Sequence, residues 1–181
     1  MMNEANHNHP LMWMVITHIR AEAEAYDQTV VGDFRPHQQS CPTVACLGGW
    51  GAFLDGRVTA DQLQKASTPQ SWEFDDEAAV SQVDILHHAQ DAFGFTEEEA
   101  HTVFSGDPAC NWPEQFAVRW ARTQQQHEEE AGDPDEERPL SPQITRQRAH
   151  IAADYLTWII ANNSVGVPYE DEDDEDEDDD W

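Results

Sequence analysis

Cys41-Pro42-Thr43-Val44-Ala45-Cys46-Leu47-Gly48-Gly49-Trp50-Gly51-Ala52-Phe53-Leu54 is the stretch on which the fold turns. Thr43 suits a helix N-cap, and Cys46, Trp50, Phe53 and Leu54 then fall on one helical face. Gly48, Gly49 and Gly51 inside such a helix each cost about 1 kcal/mol against alanine. That cost is tolerable where a neighbouring helix or a ligand must approach the backbone closely. The segment therefore predicts a short helix pressed against another element and ended by Gly56.

The helical period recurs on both sides. Upstream, Pro10 can occupy a first helical turn, and Met12, Ile16, Ile19, Ala23 and Tyr26 recur at spacings of three and four. Residues 1–9 are polar and read as a disordered N-terminus. Residues 27–40 lose the period and read as a loop with Val30, Val31 and Phe34 tucked onto the core. Downstream, Thr59 to Lys65 reads as a short helix. A longer one is capped by Asp75 or Asp76, buries Val80, Val83, Leu86, Ala89 and Phe93, and stops at Gly94. Thr96-Glu97-Glu98-Glu99 is a capping box opening a helix through Phe104, closed by Ser105-Gly106. Trp112-Pro113 starts another, with Phe116 and Trp120 on one face. The last runs from about Gln143 to Ala161, with Ile144, Ile151, Tyr155, Trp158 and Ile159 facing in and Asn162-Asn163 as its stop. No convincing period-2 strand appears. The expectation is an all-α array of five to seven short helices over residues 10–163, with 127–142 a mobile acidic loop and 164–181 a disordered tail.

Charge dominates the composition. The chain carries −28 with one lysine (Lys65) and eight arginines. Its C-terminus is the run Glu170-Asp171-Glu172-Asp173-Asp174-Glu175-Asp176-Glu177-Asp178-Asp179-Asp180, closed by Trp181. Subtracting the eleven charges of that run from −28 leaves −17 for the rest. A second cluster, Glu128, Glu129, Glu130, Asp133, Asp135, Glu136 and Glu137, precedes the last helix. Such a surface repels nucleic acid and anionic lipid and attracts basic proteins and cations. Direct DNA or RNA binding is disfavoured, because it releases counterions through Lys and Arg contacts. Acid-rich, lysine-poor chains also suit a high-salt cytoplasm, which accounts better for scattered acids than for an eleven-residue block.

The N-terminus Met1-Met2-Asn3-Glu4 has no basic segment, and the apolar run Leu11 to Ile16 is short, so neither a signal peptide nor a membrane span is expected. Three cysteines, an odd number, fit a reducing compartment. The expected location is the cytoplasm.

Chemistry has few footholds. Cys41 and Cys46 form a C-x4-C pair, with Cys110, His37, His87, His88 and His101 as further donors, but zinc requires four ligands converging tetrahedrally and no second tight pair exists. Buried structural cysteines are the plainer reading. Cys46 in a helix's first turn is a conceivable nucleophile with His87 or His88 as base, although a thiolate is disfavoured in so negative a chain. His88 with Asp84 and His87 with Asp91 stand at i,i+4 spacing, an arrangement for acid–base work or a solvated helix face. No cofactor is expected.

Cys41 to Trp50 resembles a C-G-T-x-A-C-x-A-G-W signature of small, uncharacterised helical proteins of bacteriophages and their bacterial hosts. Gly94 to Ala100, Trp112-Pro113 and the amphipathic last helix extend the likeness over roughly residues 10–162. Pro42 stands where glycine is usual and Gly48 where alanine is usual. The resemblance implies phage origin and a shared helical architecture, and it brings no catalytic residue. The tail resembles the acidic, aromatic-ended C-terminal tails of single-stranded-DNA-binding proteins, whose folded domain is a β-barrel.

The tail carries the functional expectation. An extended chain advances about 3.3–3.6 Å per residue, close to the roughly 3.4 Å between charges on one nucleic-acid strand. Trp181 adds a ring of the kind that stacks where bases lie. The expected function is a non-enzymatic, phage-type accessory protein whose tail, Glu170 to Trp181, binds the basic nucleic-acid-binding surface of a partner protein. The alternatives are a small metal- or thiol-dependent hydrolase and a structural or assembly protein with a solubilising tail.

Overall fold

The two longest apolar stripes become neighbours. In the computed structural model, α1 (His9–Ala21) lies against α8 (Pro142–Asn162), burying Leu11, Met12, Val15, Ile16 and Ile19 on one side and Ile151, Tyr155, Leu156 and Ile159 on the other. The structure describes residues 6–28, 33–34, 43–65, 81–131 and 139–168, with the backbone alone at 33–34, 43–44, 65 and 131. Around the central pair stand α2 (Leu47–Leu54), α3 (Ala60–Lys65), α4 (Gln82–Phe93), α5 (Glu97–Phe104), α6 (Pro108–Asn111) and α7 (Glu114–Ala131). The fold is all-α, with eight α-helices among the described residues where five to seven were expected. The four-residue α6, capped by Asp107, is too short to leave a periodic signal.

Gly48 and Gly51 of the opening stretch serve the close approach expected of them. α2 packs on α4 and α5, and a Cβ on Gly48 would stand 2.7 Å from Leu86 Cδ2. One on Gly51 would enter the ring of the fully buried Phe93. The start of this helix differs from the expectation. Thr43 does not cap it, because Thr43–Val44 (β2) pairs antiparallel with Asp33–Phe34 (β1). Cys46 takes the cap position instead, its sulfur accepting the N–H of Gly49 at 3.4 Å. Phe53 and Leu54 are half-buried.

A buried amide ties down the chain just after the 3-10 turn. Gln28 is 2% exposed. Its Oε1 accepts from Tyr26 OH at 3.0 Å and from Leu47 N–H at 3.3 Å, and its Nε2 donates to Val103 O and Ser105 O at 3.0 and 2.9 Å. One side chain thereby fastens the end of the 3-10 turn Ala23–Ala25 to the start of α2 and the end of α5.

Other boundaries follow capping chemistry. Thr96 and Glu99 form the expected reciprocal box on α5, and Asn163, with φ +49, ends α8. α4 is capped by Ser81 in a second box with Asp84, while Asp75, Asp76 and Val80 lie outside the described residues. Its buried stripe is Ile85, Ala89, Ala92 and Phe93, and Val83 is 61% exposed. α7 continues past Gln126 to Ala131, through the start of the stretch read as loop. Gln125 and Gln126 donate to Glu129 and Glu130 one turn on, supporting that extension.

Residues 6–8, read from sequence as part of a disordered terminus, are held instead. Asn8 receives the N–H of Leu11 as the cap of α1, while its own N–H donates to Phe93 O at 2.8 Å and its Nδ2 to Ala92 O at 2.9 Å. The chain passes so close to Gly94 (φ +73) that a Cβ there would strike Asn6 O. At the other end, Val165 is buried and its carbonyl accepts Tyr155 OH at 2.8 Å, after which Val167 is exposed. The remainder of the tail, Tyr169 and Glu170 to Trp181, lies outside the described residues, as do Val30, Val31, His37, Cys41 and Asp133 to Glu137.

Candidate functional site

The side chains singled out for catalysis are committed to structure. Cys46 is 1% exposed, and burial pushes its thiol up to about 11 against the opposing hydrogen bonds from Gly49 and Gly48. A thiol protonated at neutral pH and shut from solvent is a poor nucleophile. On α4, His87 is exposed and His88 half-buried. Asp84, meant to orient an imidazole, is engaged by Ser81, whose Oγ donates to its carboxylate at 2.7 Å and whose backbone N–H donates at 3.3 Å. These bonds hold the Asp84 carboxyl below its usual range. Asp91 lies 3.8 Å from Arg57. Among the described residues, no group of three or more His, Cys, Asp or Glu side chains is placed to hold a metal ion. Cys110 is exposed on α6.

The structure instead assembles something composition conceals. Arg146, His150 and Asp154 recur every four residues and share the outer face of α8. Arg119 reaches Asp154 from α7 at 2.9 Å, and Arg20 reaches it from α1 at 3.2 Å. Arg122 follows Arg119 one turn on and is exposed, as are Arg146 and His150. Four arginines and a histidine thus share one strip, with Asp154 pairing two of the arginines. Glu130 closes the strip at its far end, where it lines a cavity of about 630 Å³ with Ser141, Gln143, Arg146 and His150. Arg148 lies beneath, its guanidinium 4.8 Å over the Trp120 ring and its Nε donating to Thr123 Oγ1 at 3.0 Å. Arg57 and Lys65 stand elsewhere, on the α2–α3 side. Most of the described arginines are therefore gathered on one face, while Arg35 and Arg138 lie outside the described residues.

A second surface feature is apolar. Trp13 and Met14 are 46% and 49% exposed on α1 and, with Thr17, His18, Ala21, Glu22 and Leu54, line a groove of about 780 Å³. His18 packs against Trp50 with ring centroids 4.1 Å apart and planes tilted by 54°, and Trp50 Nε1 donates to Ala25 O at 2.7 Å. Burial lowers the His18 pKa, with Glu22 opposing, and its Nε2 is buried without a partner among the described residues. The arrangement suits a neutral imidazole packed as an aromatic.

Compared with known proteins, the chain matches no family model, no curated protein and no solved structure. Among the described residues, no helix is long and apolar enough to cross a membrane. The basic strip was missed from sequence because its members lie on three helices. The i,i+4 recurrence of Arg146, His150 and Asp154 is the one local signal that could have pointed to it.

Proposed function

We propose that this chain is a non-enzymatic, phage-type acidic accessory protein that binds the basic nucleic-acid-binding surface of a partner protein through Glu170 to Trp181. The observation that carries the reading is the unbroken run of eleven acids closed by a tryptophan. Its charge spacing, when extended, matches that of a single nucleic-acid strand. The anchoring of Val165 by Tyr155 supports it, because the run then departs from a fixed point on the core. The exposed Glu128, Glu129 and Glu130 at the end of α7 add a second acidic surface that a basic partner can meet. The buried, protonated Cys46 argues against a thiol hydrolase. The likeness of Cys41 to Trp50 to phage proteins supports the origin.

The test is capture of basic proteins from bacterial lysate by the full chain and by a chain ended at Pro168. Captured partners should depend on the tail, be eluted by single-stranded oligonucleotide, and bind less tightly as salt rises. Trp181→Ala should weaken binding by about 1–3 kcal/mol, the scale of one aromatic–base stack, with little change in salt slope. Partners indifferent to tail, Trp181 and oligonucleotide would refute the mechanism and favour an assembly protein with a solubilising tail.

A further inference from the structure

We infer that the acidic tail has a competing ligand within its own chain: the basic strip on the outer face of α8, bordered by Arg119 and Arg122 of α7 and Arg20 of α1. This rests on the reading of the tail as a polyanion that seeks basic surfaces, and it adds a regulatory state to it. In a chain of −28, four exposed arginines and His150 share the strip with two acids, Asp154, which pairs with Arg119 and Arg20, and Glu130 at the far end. Arg122 and Arg146 make no ion pair among the described residues, so Asp154 and Glu130 together leave the four arginines in surplus.

Geometry supplies the occupant. Gly166 stands against Trp158, one turn beyond Asp154 on the same row of α8, and against Pro113 ahead of α7, so the chain leaves the core at the end of the strip. Arg146 and Asp154 are eight residues apart on one helix, about 12 Å along its axis at 1.5 Å per residue. The thirteen residues after Pro168 reach roughly 43–47 Å when extended, enough to lay Glu170 to Asp180 over the whole strip.

Tethering decides between this occupant and its rivals. A segment joined by a few residues acts at an effective concentration in the millimolar range. A free nucleic acid or a second copy of the chain must instead approach against the full −28. At physiological salt the screening length is about 8 Å. The tail at contact therefore responds to the local arginines more than to the acids across the molecule. A tail held on the strip is withheld from other basic surfaces, so a partner must outcompete the chain's own arginines. Weak partners are rejected and strongly basic grooves are selected.

Two measurements on the full chain test this. In the first, the Nε–Hε NMR signals of Arg119, Arg122 and Arg146 are compared with those of a full-length variant whose eleven tail acids are replaced by Gln and Asn. The strip signals should shift between the two chains at low salt and converge at 0.5 M NaCl, roughly a 4 Å screening length, while Arg57 stays unchanged. Coincident strip signals overturn the inference. Shifts that grow with protein concentration overturn it too, since they place the tail on another copy.

The second measurement uses decalysine as the basic probe. If the tail is latched nine-tenths of the time, apparent affinity is reduced about tenfold. Arg119→Gln with Arg122→Gln should then tighten decalysine binding several-fold beyond a charge-matched control, Arg57→Gln with Lys65→Gln. Equal binding by the two double variants overturns the latch. Failure of decalysine to bind any of these chains, with strip signals that still respond to the tail, would instead defeat the partner-binding proposal and leave the latch standing.

Discussion

Replacing Gln28 with leucine tests whether one buried amide organises the crossing from the 3-10 turn to α2 and α5. The substitution keeps volume and removes every polar atom. Tyr26 OH and Leu47 N–H lose their shared acceptor, and Ser105 O loses its donor. Val103 O is spared in part because Trp112 Nε1 also donates to it at 3.3 Å. Each buried group left unpaired costs about 1–3 kcal/mol, so three cost about 3–9 kcal/mol before relaxation. Leucine recovers about 1–2 kcal/mol by burying apolar surface, and water entering at Ser105 lowers the cost further. The expected net loss is about 3 kcal/mol, a large share of the roughly 5–15 kcal/mol that holds a domain together. Urea unfolding followed by tryptophan fluorescence should show the midpoint falling by about 1.5 M at an unchanged slope near 2 kcal/mol per molar. A loss below about 1 kcal/mol would show that the four contacts do not act as a fastening.

Gly51→Ala should destabilise by up to about 2 kcal/mol although alanine favours the helix by nearly 1 kcal/mol. Its methyl meets Phe93, itself stacked on Phe95 at 5.3 Å, and overpacking costs about 1–3 kcal/mol; a stabilised variant in thermal melts would refute this. Cys46 should resist alkylation in native protein at pH 8 while Cys110 reacts, as read by peptide mass spectrometry. Because the folded-state thiol is raised to about 11 from 9, the stability it contributes is complete below pH 9 and is lost as pH climbs through about 11. His18 is depressed below its ordinary 6.5, so its contribution is present above that value and is lost as pH falls through the lower folded one. His18→Leu should therefore show a smaller drop in urea midpoint between pH 7 and pH 5 than the parent chain, and an equal drop would refute the assignment.

Features decided by neighbouring residues were legible in the sequence. The Thr96–Glu99 box, the Asn163 stop and the inward stripe of α8 depend on spacing within one or two turns, and spacing is what a sequence displays. Gly48 and Gly51 announced a close approach without naming Phe93 or Leu86, since the partner helix begins some thirty residues away. Thr43 misled because a good capping side chain carries no sign that its backbone is already paired with Phe34. Asn6 to Asn8 and Gln28 misled for a related reason. A short polar residue outside a periodic segment looks solvated, and only the fold shows that carbonyls of Ala92, Phe93, Val103 and Ser105 await it. The basic strip was hidden by averaging, because counting nine cations against thirty-seven acids says nothing of where they stand.

The placement of residues 6–8 bears on how the chain can be made. The cap of α1 bonds to carbonyls at the end of α4, His7 Nε2 meets Glu99 at 3.0 Å, and the apolar face of α1 rests on α8. α1 is therefore synthesised well before α4 and α8, the segments on which its cap and apolar face rest. Contacts so distant in sequence slow folding, because loop closure precedes their reward. Until Ile159 has emerged, Met12, Val15 and Ile16 have no apolar surface of α8 to cover them. The surface of α1 that α8 covers therefore stays open until the chain has grown past α7, and the pairing at the centre of the fold is among the later contacts to form.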